Sequence, residues 1–243
     1  MPHGAPDYWG YSPKDVTHPS LDVGELAARL GSPVSFDRRG SVVWYDSFIN
    51  GMAAWEAAGT SGYDVYPYIA AARTVGMCLR METAATTGAY VQVWHDTPPP
   101  MLGGWGWEVS FIPGWYVDHF DILLLRYTGE YLVHYEANYN HNNGNLYILK
   151  SDNTWVQVGS PGVQTMSIGA FSTMKLVVDA LSQKYDRLLF NGHTYDISSY
   201  EPFQESDTST PRVRLSIRAY TDSDAKAHVN IDDVIFTQEE PIA

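Results

Sequence analysis

The chain has 243 residues, with 28 acidic against 15 basic side chains and a formal net charge of −13. That balance argues against nucleic acid and anionic membrane as partners, since both need positive charge, and it suits neutral glycans, cations or a crowded assembly. The length supports a large core in a single domain, and 17 Tyr, 8 Trp and 8 Phe with only 18% charged residues suit half-buried sheets with rings left over for recognition.

Cys78 is the only cysteine, so no internal disulfide or zinc site is available and it reads as a small packing residue. The start, Met1-Pro2-His3-Gly4-Ala5-Pro6-Asp7, lacks the basic and apolar runs of a signal peptide. No stretch approaches the ~20 apolar residues of a spanning helix. The expectation is a soluble chain that acts outside a cell or on a particle.

Residues 1–40 form the first unit, an irregular arm punctuated by Pro2, Pro6, Pro13 and Pro19 that carries Tyr8, Trp9 and Tyr11. One short helix follows within it. Ser20 is the N-cap, Asp22 and Glu25 favour the dipole, and Val23, Leu26, Ala27 and Leu30 make one apolar stripe before Gly31 and Pro33 stop it. Arm and helix cannot form a core alone, so Tyr8, Trp9, Tyr11, Leu26 and Leu30 are expected to dock on the body or on another copy in a homo-oligomer.

From residue 41 to 243 the pattern is strands, expected at 42–48, 66–72, 75–82, 89–95, 107–112, 119–127, 131–140, 145–150, 155–158, 174–179, 185–190, 193–197, 212–220 and 228–237. The first and last are similar β-branched, aromatic runs, and pairing them closes a sandwich. The clearest alternation sets Val213, Leu215, Ile217 and Ala219 against Arg212, Arg214, Ser216 and Arg218, one face apolar and the other wet. Asn143-Gly144 and Asn191-Gly192 signal two-residue type I′ turns. The first puts Asn140 opposite Tyr147 and Asn138 opposite Leu149; the second puts Arg187 opposite Asp196 as a cross-strand ion pair. The fold class is all-β: a two-sheet antiparallel jelly-roll β-sandwich with an N-terminal extended arm and one short helix.

Asp46-Ser47-Phe48-Ile49-Asn50-Gly51-Met52-Ala53-Ala54-Trp55 resembles the D-x-F-x-x-G-x-x-x-W opening of concanavalin A-like and carbohydrate-binding jelly rolls, and Ile231-Asp232-Asp233-Val234 resembles their closing strand. Residues 175–179 and 187–192 are similar to the paired inner strands of laminin-G-like sandwiches. The resemblance spans 42–237 and implies carbohydrate binding. It also implies a structural calcium shared by Asp46 with Asp232 or Asp233; without the metal, these are rim carboxylates facing water or an arginine.

For chemistry, the retaining glucanases alternate Glu-x-Asp-x-Glu along one strand, whereas Glu136-Ala137-Asn138-Tyr139-Asn140 keeps one acid and two amides, which cannot serve as acid or nucleophile. No catalytic role is therefore expected, and glycoside hydrolysis is the weakest reading. His134, Glu136, Asn138, Asn140 and Tyr147 share one face, with amides for hydroxyls and a ring for C–H groups. Trp105 and Trp115, set among glycines, are the second ligand candidates, open equally to subunit contact; Trp107, alternating with Val109 and Phe111, reads as core. The expected function is a non-catalytic recognition or surface module for a glycan, with a structural subunit of a phage-like particle as the alternative.

Overall fold

The computed structural model describes residues 39–73, 76–164 and 171–242. The strands in chain order are β1 (Ser41–Asp46), β2 (Glu56–Gly59), β3 (Asp64–Tyr68), β4 (Cys78–Glu82), β5 (Tyr90–Thr97), β6 (Gly104–Pro113), β7 (Val117–Tyr127), β8 (Tyr131–Asn140), β9 (Asn145–Leu149), β10 (Trp155–Gly159), β11 (Ser172–Asp179), β12 (Lys184–Phe190), β13 (His193–Asp196), β14 (Phe203–Ser206), β15 (Arg212–Thr221) and β16 (His228–Gln238). They form two eight-stranded antiparallel sheets, as expected of a jelly roll. Sheet A runs β13-β12-β11-β6-β16-β4-β3 with β1 also on β16; sheet B runs β10-β9-β8-β7-β15-β5-β2 with β14 also on β8. Among the described residues no helix is long and apolar enough to cross a membrane. The expected arm and helix, with Tyr8, Trp9, Tyr11, Leu26 and Leu30, lie outside the described residues.

The two ends of the described chain do pair: Tyr45 faces Ile235 and Asp46 faces Val234. Strand β16 is long enough to take two partners along one edge, β4 beside its start and β1 beside its end. Strand β8 does the same in sheet B, with β14 beside 131–134 and β9 beside 137–140.

The core is what alternation dictates. Val213, Leu215, Ile217 and Ala219 are fully buried, facing Trp107, Val109 and Phe111 from the other sheet in one continuous cluster. Phe111 stacks on Phe120 at 4.3 Å between centroids. Burying each such side chain contributes about 1.5–3 kcal/mol.

Two local expectations need correction. Asn191 (φ 48°) and Gly192 (φ 83°) do form the two-residue turn, and Arg187 does face Asp196. The ion pair is replaced, however: Arg187 donates to Glu240 Oε2 at 2.7 Å and to Asp186 at 2.6 Å, while Asp196 accepts from Ser198. The buried Glu240 outcompetes a carboxylate left in water. In the other hairpin the loop is four residues, not two, so Asn140 faces Asn145 and Asn138 faces Tyr147. The Asn140 side chain takes up Asn143 N–H at 3.1 Å and Gly144 N–H reaches Asn140 O at 2.9 Å, which widens the turn.

Candidate functional site

The outer face of sheet B carries the site. Because the loop correction moves β8 by two residues, the side-chain parity survives, and His134, Glu136, Asn138, Asn140 and Tyr147 share one face as expected. The pairing of β5, β15, β7, β8 and β9 lines up one polar row across five strands: Gln92 faces Arg218, Arg218 faces Asp121, Asp121 faces Asn138 and Asn138 faces Tyr147. An open groove of about 380 Å³ lies over this face.

Hydrogen bonds knit the row. Asn138 Nδ2 donates to Asp121 Oδ1 at 2.6 Å. Arg218 donates from Nε to Gln92 Oε1 at 3.1 Å and from Nη1 to the Tyr220 hydroxyl at 3.0 Å. Tyr220 stacks on His119, 4.1 Å between ring centres, and His119 Nδ1 lies 2.7 Å from Asp118. One row along, His134 sits between two carboxylates, Nδ1 2.8 Å from Glu136 and Nε2 3.0 Å from Glu205. With an acceptor at each nitrogen the ring fits its doubly protonated form. Burial opposes that charge, but the bonds to Glu136 and Glu205 outweigh it and raise the His134 pKa. Trp155, 43% exposed, and the half-buried Phe203 line the groove's flanks.

Asp121 is the electrostatic oddity. Burial pushes its carboxyl up to about 6, with Glu136 adding to the rise and His119, Arg218 and the Asn138 bond opposing it. Asp121 and Glu136 are diagonal neighbours on β7 and β8, because Leu123 faces Glu136.

Of the expected site residues, His134 and Glu136 line the groove. Asn138 is not in its lining but is bonded to Asp121, which is, while Asn140 and Tyr147 serve the β8–β9 turn, the tyrosine oxygen accepting from Asn143 at 3.3 Å. His119, Asp121, Arg218, Tyr220, Trp155 and Phe203 were not anticipated. The wet stripe of β15 was the signal for Arg218, but nothing local shows that β15 lies against β7.

Trp105 is corrected: it shares parity with Trp107 in β6, is fully buried, donates from Nε1 to Met101 O at 2.8 Å and packs edge-on to Phe236. It offers no ring to a ligand, whereas Trp115 stands open on the β6–β7 turn.

The aspartates of the expected calcium set each have protein donors. Asp46 accepts from Phe48 N at 2.7 Å and Trp55 Nε1 at 2.9 Å. Asp233, the extra residue of a β16 bulge at φ 46°, accepts from the Tyr45 hydroxyl at 2.8 Å. Asp232 accepts from Arg73 N at 2.8 Å. Among the described residues no three His, Cys, Asp or Glu side chains gather as a metal site.

No protein-family model and no curated protein matches the chain. Among solved structures it is similar to a cellulose-induced protein, Cip1, at TM-score 0.56 and 12% identity over 82% of this chain and 99% of that one. It is similar to a Bacillus subtilis protein of unknown function with a galectin-like fold, at 0.54 and 12% over 82% and 97%. It is also similar to an endo-β-1,4-glucuronan lyase from Trichoderma reesei, at 0.53 and 12% over 82% and 96%. The fold is a two-sheet jelly-roll β-sandwich like theirs. At such identity the likeness is one of fold, and the side chains of the groove must speak for function.

Proposed function

We propose that this chain is a carbohydrate-recognition module that holds an extended oligosaccharide in the groove of sheet B without cleaving it. The observation that carries this reading is the polar groove itself, whose lining runs from Arg218 on β15 through Asp121 on β7, Glu136 on β8 and Leu149 on β9 to Trp155 on β10. Neighbouring strands stand ~4.8 Å apart, so its four steps reach about 19 Å, a length for several linked sugars rather than one. Amide, guanidinium and phenol groups match hydroxyls as donors and acceptors. Trp155 and Phe203 on the flanks supply flat apolar faces for sugar C–H groups. The net charge of −13 favours a neutral glycan over a polyanion. The likeness in fold to a glucuronan lyase, by its name a protein that acts on a polysaccharide, supports the reading at the level of architecture only.

Non-cleavage rests on Asn138 and Asn140, amides where a glucanase strand alternates carboxylates. The one arrangement that speaks for hydrolysis is the diagonal pair Asp121 and Glu136. Titration calorimetry with cello-, xylo- and galacto-hexasaccharides tests recognition. Saturable binding is expected, weakened about tenfold, ~1.4 kcal/mol, by Trp155→Ala. Absence of binding to all three would overturn recognition. Sustained release of reducing ends that Glu136→Gln abolishes would overturn the non-cleaving half.

A further inference from the structure

The other sheet carries a second hollow, of about 240 Å³, beneath the turn Gly114-Trp115-Tyr116 between β6 and β7. Its floor is one row of sheet A: Ile112 faces Asn230 on β16, and Asn230 faces Arg80 on β4. Tyr68 forms a wall, with the Arg80 guanidinium 4.5 Å from its ring centre. His228 closes the end. Gly114 N–H donates to His228 O at 2.8 Å, and a Cβ at Gly114 would collide with the His228 ring, so only glycine lets the turn settle on the imidazole.

Two features of this hollow have no match within the described protein. Asn230 is only 6% exposed, yet its Oδ1 accepts no hydrogen bond. A buried acceptor left so is destabilising, and a ligand that donates to it recovers the loss. Trp115 is 65% exposed at the rim, an uncovered aromatic face beside an unmatched acceptor.

We propose that this hollow is a second ligand site, for a single neutral sugar residue that lays its C–H face on Trp115 and donates a hydroxyl to Asn230. An ionised carboxylate group has no proton to give that oxygen. The Arg80 charge is balanced by Glu82, 3.0 Å from Nε, although that Nε makes no hydrogen bond and can donate to a sugar oxygen. Burial, with Arg80 beside it, lowers the His228 pKa, which leaves a neutral ring on the wall. What the site lacks is a hydroxyl donor with an apolar face, and a pyranose has both. The site does not depend on the groove, which lies on the opposite sheet.

The test is an NMR titration of ¹⁵N-labelled full chain, wild type and Trp155→Ala, with galactose, glucose and N-acetylglucosamine as probes. The expected result is a saturable shift of the Trp115 indole N–H and the Asn230 amide with at least one sugar, in both proteins. Trp115→Ala should weaken that binding about tenfold. Asn230→Leu should abolish it while raising Tm, since it removes an unmatched polar atom from a buried place; a merely structural amide would lower Tm instead. No saturable shift at Trp115 with any of the three sugars, or binding that survives Asn230→Leu, overturns the proposal. Failure of the groove reading shows separately, as unmoved Tyr220 and Trp155 signals in the calorimetric hexasaccharide series repeated by NMR.

Discussion

Trp55 donates its indole N–H to Asp46 Oδ2 at 2.9 Å, reaching back nine residues along the chain. The other oxygen of Asp46 takes the Phe48 N–H at 2.7 Å. Between them the backbone turns through Phe48 (φ 56°) and Gly51 (φ 73°), with Gly51 N–H on Phe48 O and Trp55 N–H on Met52 O, both at 2.9 Å. The opening motif is therefore a strap: aspartate, aromatic, glycine and tryptophan at fixed spacing seat Phe48 and Trp55 in the core.

Asp46→Ala breaks two hydrogen bonds to a charged acceptor, each contributing about 1.5–3 kcal/mol. The expected loss is on the order of 3 kcal/mol in urea unfolding, seen as a lower midpoint at unchanged slope. Asp46→Asn keeps one acceptor oxygen and should lose roughly half as much. An alanine variant within experimental error of wild type would mean the strap does not hold the motif.

The closing aspartates behave differently. Asp233 is fully buried in the β16 bulge, with the Tyr45 hydroxyl at 2.8 Å and Arg73 Nη1 at 3.9 Å. Burial raises its pKa, while the Tyr45 bond and Arg73 pull the other way. Arg73 also donates to Ser110 at 2.6 Å. Protein donors take both oxygens of Asp46 and Oδ1 of Asp233, so EDTA and added calcium should both leave Tm unchanged; a metal bound only to the folded state would raise it. A drop in Tm with EDTA would restore the calcium reading. Asp233→Ala removes the Tyr45 acceptor and one of the carboxylates around Arg73 and should cost about 1–3 kcal/mol.

Much of this fold is written locally. Strand β8 spans Tyr131–Asn140, as the β-branched and aromatic run from 131 to 140 predicts. The alternation of β15 places its four apolar residues in the core. Strands β2 and β14 were missed because Glu56-Ala57-Ala58-Gly59 and Phe203-Gln204-Glu205-Ser206 are short edge strands with little apolar content, fixed by their neighbours rather than by propensity. The site is less legible for a related reason. Arg218 and Asp121 meet only because β15 pairs with β7, and that pairing is set by the whole topology. Parity within a strand is local, so the shared face of β8 was readable; adjacency between distant strands is not. Trp105 shows the converse: its glycine neighbours suggested exposure, but its parity with Trp107 decided burial.

The electrostatics of the groove give a prediction specific to Asp121. Folded, it keeps its proton up to about 6, against 3.8 for an ordinary aspartate. Its pKa is raised, so its contribution to stability is complete below the unfolded value near 3.8 and is lost as pH rises through about 6. Above that, the folded chain carries a buried carboxylate at a cost on the order of 3 kcal/mol. Asp121→Asn keeps the shape and can still accept from Asn138 Nδ2. It should match wild type near pH 4 and exceed it at pH 8, so that the difference curve rises between those values. His134 carries the same sign, because its pKa is also raised and its contribution fades at high pH. His134→Gln in the Asp121→Asn background separates the two, and the slope left after the first substitution should change again with the second, down to what Asp233, His141 and His228 contribute. Urea melts across that pH range measure both. If Asp121→Asn loses stability equally at every pH, the charged form is the one the groove floor is built to hold, and Asp121 acts there as an ionised acceptor for Asn138 and Arg218.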